Sequence, residues 1–180
     1  MIFVALGANL PSETFGPPAA TLDAAVRALE ARGLRLTARS RWFESEPVPR
    51  SDQPWFVNGV VAFETALPPA AILQILHEVE AEFGRIRRIT WEARILDLDL
   101  IACDDLVLPN AAVWQAASRS MSAPELVLPH PRAHLRSFVL LPLLDIAPDW
   151  RHPVLGLDVR ALLAGLPPEK GVVRPLPDRC

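Results

Sequence analysis

Arg94-Ile95-Leu96-Asp97-Leu98-Asp99-Leu100-Ile101 decides the fold, because it alternates leucine with aspartate and then stays apolar to Cys103. Residues two apart on a strand face the same way, so Leu96, Leu98 and Leu100 enter a core while Asp97 and Asp99 project from the other face. Ile95 to Cys103 is then the last of four strands. Ahead of it, Pro68-Pro69 opens a helix carrying Ile72, Ile75, Leu76, Val79 and Phe83 on one face and stopping at Gly84. Phe56 to Thr65 reads as a strand, and Glu46 to Pro54, with its three prolines, as an irregular loop. Leu34, Leu36, Ala38, Ser40 and Trp42 alternate with Arg35, Thr37, Arg39 and Arg41, the pattern of one half-exposed strand. From Ala19 to Arg32, Leu22, Ala25, Val26 and Leu29 recur at helical spacing, and Gly33 ends the helix. Ile2 to Leu6 is a short buried strand stopped by Gly7-Ala8-Asn9-Leu10-Pro11. The order strand-helix-strand-strand-helix-strand predicts an α+β, ferredoxin-like fold: an antiparallel sheet with both helices on one face. Residues 104–180 are proline-rich and read as an elaboration of the same domain, with a short helix over Leu157 to Leu166. The whole chain, 1–180, is expected to form a single domain.

Composition removes several chemistries. The chain has 180 residues, 51% of them hydrophobic, with a formal charge of −3, which suits a folded core and gives no general attraction to nucleic acid or anionic membrane. Phe138 to Leu144, the longest late apolar run, is broken by Pro142 and falls well short of the ~18 residues that span a bilayer. The apolar N-terminus has no basic leader, and Cys103 and Cys180 form no CxxC pair, so a reducing cytoplasm is the expectation. Lys170 is the only lysine beside seventeen arginines, and the eight glycines form neither GxGxxG nor a P-loop. If this chain grips phosphates, arginines and metal ions must do it.

Two neighbouring carboxylates on one strand face repel each other unless a cation lies between them, and hard oxygen donors suit Mg²⁺. A pair of ions about 3.5–4 Å apart would fit Asp97 and Asp99. A DxD alone is as readily an exposed strand face with two solvated acids. The neighbourhood argues for the metal: Arg85, Arg87, Arg88 and Arg94 lie just before Asp99, as a polyphosphate site requires, although surface ion pairs would use the same residues. Trp91 sits among these charges, placed to cover a planar ring or to cap the core edge. His130 is held between Pro129 and Pro131; His130 and His134 lack the glutamate of HExxH, so zinc is not expected. No GxSxG and no Cys-His pair supports covalent hydrolysis.

Leu6-Gly7-Ala8-Asn9, Asp52-Gln53-Pro54-Trp55-Phe56-Val57-Asn58, Phe83-Gly84-Arg85-Ile86-Arg87, Arg94-Ile95-Leu96-Asp97-Leu98-Asp99, Leu128-Pro129-His130-Pro131 and Arg136 to Leu143 follow one another over about the first 150 residues. In this order and spacing they resemble the 6-hydroxymethyl-7,8-dihydropterin pyrophosphokinase family of folate biosynthesis, whose fold is ferredoxin-like. The resemblance implies transfer of the β,γ-pyrophosphoryl group of ATP to the pterin hydroxymethyl oxygen, with release of AMP. It implies that Asp97 and Asp99 hold two Mg²⁺ ions and that Arg85 and Arg94 act at the phosphates. Arg87, Trp91, His130 and Arg136 would lie on the ATP side. Asn58 would bind the pterin edge, Phe56 and Phe138 would be the plates around its ring, and Ser45, Pro47 and Val48 would line that pocket. ATP and a dihydropterin are the expected partners, with no nucleic acid or membrane, and a monomer is expected. Three departures stand out: Ala8 where serine is usual, Glu92-Ala93 before Arg94, and an apparent insertion at Ala111 to Pro124 with no assigned role.

Overall fold

The structure, a computed structural model, describes residues 1–47, 52–84, 95–120, 124, 126–167 and 172–177. Strand β1 (Ile2–Ala8) lies between β4 (Phe56–Glu64) and β5 (Asp97–Cys103), antiparallel to both. On the far side of β4, β3 (Phe43–Ser45) continues the sheet to β6 (Val173–Pro175), and β2 (Arg35–Arg39) pairs with the other end of β4. Helices α1 (Pro18–Glu30) and α2 (Pro69–Glu82) start at prolines, whose fixed φ suits a first turn, and run out at Gly33 and Gly84, both with φ near +90°.

Their apolar stripes close one face of the sheet. Leu22, Leu29, Ile72, Leu76 and Val79 pack with Val4, Leu6, Val61, Phe63, Leu98 and Leu100, the face that alternation assigns to Leu98 and Leu100. The alternate residues Phe3, Val60, Ala62 and Ala102 look the other way. They meet α4 (Ser137–Ile146) and α5 (Val159–Ala164), both from the C-terminal part. The sheet is therefore covered on both faces, α1 and α2 on the expected one and the elaboration on the other.

Two expectations are corrected. Gly7 and Ala8 do not stop β1, since both keep partners in β4. The stretch Leu34 to Trp42 is not one strand. It breaks at Ser40, whose Oγ and N–H engage the backbone of Val60, and β3 begins only at Phe43. The break seats the Trp42 ring over Gly59, where a Cβ would come within 2.3 Å of a ring carbon. Arg41 then clasps Asp145 of α4 through Nε and Nη2 at 2.9 and 2.8 Å, and that hydrogen bonding holds the Asp145 carboxyl below its usual range. Helix α4 escapes periodicity because it is apolar on nearly every side and carries Pro142. Cys103 is a buried free thiol, pushed up to about 11 chiefly by burial and then by Asp104.

Candidate active site

The C-terminal end of β1 and the N-terminal ends of β4 and β5 meet at one edge of the molecule. Register aligns Phe43, Asn58, Gly7 and Asp97 in one row across four strands, and Ala5 stands beside Asp99. Cross-strand neighbours share a face, so Asn58, Asp97 and Asp99 all project on the side of the sheet that α4 covers. Gly7 keeps the middle of the row low: a Cβ there would stand 3.2 Å from Asn58 Oδ1.

Asp97 and Asp99 are half-buried while Leu98 and Leu100 are in the core. The turn before α4 brings Arg136 Nη1 to 3.5 Å from Asp99 Oδ2. One residue pair further on, the same guanidinium lies 5.7 Å from the centre of the half-exposed Phe138 ring. His130 is pinned by its own backbone, its N–H donating to the Ile101 carbonyl at 2.7 Å. Its Nδ1 accepts from the Arg132 N–H at 3.2 Å, which leaves Nε2 to carry the proton of the neutral ring. Burial lowers its pKa, Asp99 pulls the other way, and Arg136 and Arg132 lower it further.

Across the row, Asn58 is buried and its amide donates to Ser45 Oγ at 2.8 Å, which points Oδ1 toward Gly7. Ser45 and Phe56 are register partners, and Pro47 is buried just beyond. Thus Asp97, Asp99, His130 and Arg136 gather at one end of the row and Ser45, Phe56 and Asn58 at the other, with Phe138 on the α4 side two residues beyond Arg136. Val48, Arg85, Arg87, Trp91 and Arg94 lie outside the described residues.

Sequence reasoning missed two supporting groups. Glu80 of α2 is buried and accepts the Leu98 N–H at 2.8 Å, gripping β5 between the two aspartates. An acid one turn after Leu76, on a stripe of core residues, was the available signal. Asn9 is buried and donates to Gln53 Oε1 at 3.3 Å and the Pro54 carbonyl at 3.2 Å, tying the end of β1 to the approach of Phe56.

Among the described residues there is no cluster of three or more His, Cys, Asp or Glu that could hold a metal. Two adjacent carboxylates nevertheless fit Mg²⁺, which takes one or two protein carboxylates and completes its octahedron with water and phosphate oxygens. They do not fit a metal that demands an all-protein cage.

Comparison with known proteins bears on the family and the fold. The family model described as 7,8-dihydro-6-hydroxymethylpterin-pyrophosphokinase matches residues 3–148. A 2-amino-4-hydroxy-6-hydroxymethyldihydropteridine pyrophosphokinase of Pseudomonas aeruginosa is 40% identical over 92% of this chain and 91% of its own length. One from Methylorubrum extorquens is 36% identical, covering 92% of this chain and 93% of its own. The crystal structure of wild-type Plasmodium falciparum HPPK-DHPS superposes at a TM-score of 0.64 and 13% identity, over 91% of this chain but 43% of that longer one, and so speaks for the ferredoxin-like fold. With a family model matched over most of its length and relatives covered nearly end to end, the chain belongs to the 7,8-dihydro-6-hydroxymethylpterin-pyrophosphokinase family.

Proposed function

We propose that the row from Asn58 to Asp97 is the path of the family's reaction, with the pterin held at the Asn58 end and the ATP phosphates at the Asp97 end. The family reaction is transfer of pyrophosphate from ATP to the hydroxymethyl group of 6-hydroxymethyl-7,8-dihydropterin, in folate biosynthesis. A bond forms between the hydroxymethyl oxygen and the β-phosphorus as the bond from that phosphorus to the α,β-bridging oxygen breaks; the hydroxyl proton passes to solvent and AMP departs. Asp97 and Asp99 would hold two Mg²⁺ ions, which would supply neutralising charge at the phosphate oxygens. Arg136 lies beside Asp99 and adds positive charge on the same side. Neutral His130 offers Nε2–H as a donor to ATP. Arg85, Arg87, Arg94 and Trp91 are assigned to the ATP side on family grounds.

At the other end, the Asn58 amide is oriented by Ser45 and presents Oδ1 to an N–H edge such as a pterin carries. Phe56 and Phe138 are the plates for its flat ring, with Pro47 and Val48 closing the pocket. The observation that carries this reading is the register itself, which lines up Asn58 and the carboxylates on one sheet face with glycine between them. Such positioning and charge neutralisation are what phosphoryl-type transfer needs. The reading extends to one domain over 1–180, acting as a monomer in the cytoplasm without a nucleic-acid or membrane partner. The formal charge of −3 supports the absence of nucleic acid, and no helix among the described residues is long and apolar enough to cross a membrane.

Phosphorus NMR of the protein with ATP, Mg²⁺ and 6-hydroxymethyl-7,8-dihydropterin tests the reaction. AMP with a pterin diphosphate is expected, appearing only when Mg²⁺ is present. Release of ADP would overturn pyrophosphoryl transfer, and undiminished turnover in excess EDTA would overturn the metal assignment.

A further inference from the structure

The apparent insertion forms α3 (Ala111–Ser118), an eight-residue helix whose N-terminus is capped by Asn110, Oδ1 accepting the Val113 N–H at 3.0 Å. Its inner face buries Trp114 at 2% exposure with Ala117, Val127 and the half-buried Val154. That small cluster is separate from the two cores of the sheet, and Trp114 leaves it in two directions. The indole Nε1 donates to the Pro129 carbonyl at 2.8 Å, a buried bond spanning fifteen positions of sequence. The ring lies 5.3 Å from His134, tilted at 45°, and 4.9 Å from His152, edge to face.

Pro129 and His134 bracket the ATP side. Pro129 immediately precedes His130. His134 belongs to the short 3₁₀ turn Ala133–Leu135, which ends at Arg136. Just after each of these two points the chain is fastened to the sheet, by the His130 N–H on Ile101 and by Arg136 on Asp99. We infer that Trp114 is a positioning residue, setting the direction of His130 and Arg136 toward the ATP phosphates by fixing the backbone just before one and the turn just before the other. The insertion is then a buttress of the nucleotide half of the site, and the pterin contacts of Ser45, Phe56 and Asn58 stand without it. This inference rests on the assignment of His130 and Arg136 to ATP.

Trp114→Phe keeps an aromatic ring in the cluster and removes the N–H from Pro129. MgATP affinity, measured by calorimetry on the full chain, is expected to fall about fivefold to tenfold, roughly the weight of one buried hydrogen bond. Pterin affinity is expected to stay within a factor of about two. A general loosening of the fold would lower the melting temperature and the folded fraction without separating the two ligands. A double-mutant cycle sharpens the test, because residues acting through a shared group are not additive. In either an Arg136→Ala or a His130→Ala background the further effect of Trp114→Phe on ATP should shrink, and with both residues replaced it should largely vanish. If it persists in full when both are replaced, or if ATP and pterin weaken together, the positioning role is overturned and the ATP assignment stands. If Arg136→Ala and His130→Ala each leave MgATP affinity unchanged, the ATP assignment fails and this inference fails with it. Should Trp114→Phe not fold, Asn110→Ala removes only the exposed cap of α3. It should give a smaller selective loss, about threefold to fourfold in MgATP affinity, and no loss there would overturn the inference.

Discussion

β5 is divided between two duties. Its first three residues keep strict alternation, with Asp97 and Asp99 half out of the protein and Leu98 buried between them; its last four, Leu100 to Cys103, are all buried. The bulge opposite Phe3 and Val4 marks the change, after which Ile101 and Ala102 both serve the core on the α4 side. The buried half holds the strand while the half-exposed half presents charge, so one can be altered with little effect on the other. Asp97→Asn puts that separation to its hardest trial. Turnover should fall about a thousandfold, because an amide lacks the charge that holds a cation, while the melting temperature stays close to wild type. A matched collapse of melting temperature and activity would show that the two halves are not separable.

Acid should destabilise the buried region around His152. His152 is 1% exposed, and its Nδ1 accepts the Val154 and Leu155 N–H groups at 3.3 and 3.2 Å. Burial and then the neighbouring His134 lower its pKa from 6.5 to about 4. Between those values the unfolded chain binds a proton that the native fold refuses, so stability falls as pH drops through that window. The loss is on the order of 3 kcal/mol when complete. His134 and His130 are lowered by burial too and act in the same direction. Urea unfolding at several pH values between 7 and 4 checks this; a flat profile would contradict it.

Glu80 joins the two halves, since its carboxylate takes the Leu98 N–H from the core side of the aspartate pair. Glu80→Ala leaves that buried donor without its partner and should cost about 1–3 kcal/mol in denaturant unfolding. Activity should drop further than the folded fraction explains, whereas Glu80→Gln, which keeps an acceptor, should recover much of both. The smallest effect is expected at Gly7. The Cβ of Gly7→Ala presses on Asn58 Oδ1 at 3.2 Å, so KM for the pterin should rise about threefold with kcat and ATP KM little changed, one misdirected hydrogen bond being worth about that much.

The amphipathic elements were legible because their periods are local. The apolar stripes of α1 and α2 and the alternation in β5 match the burial observed. Where a residue's partner is remote, local pattern fails. The break at Ser40 depends on Val60, the burial of Glu80 on Leu98, and the setting of Trp114 on Pro129. Helix α4 was hidden for another reason: an apolar segment buried on most sides has no contrasting face to reveal its period. At the site, Asp97 and Asp99 could be read from the strand, but only register across β1 shows that Asn58 stands in line with them.

Among the described residues the outer margin of β5 has no neighbouring strand in the sheet order, a place where an exposed ladder of amides and carbonyls would invite another molecule to add on. Here the Leu98 amide is already occupied by Glu80 and the Ile101 carbonyl by His130. The groups that steady the Asp97 end of β5 therefore also make this margin a poor template for growth, and chains lacking the Glu80 carboxylate should self-associate more readily at high concentration.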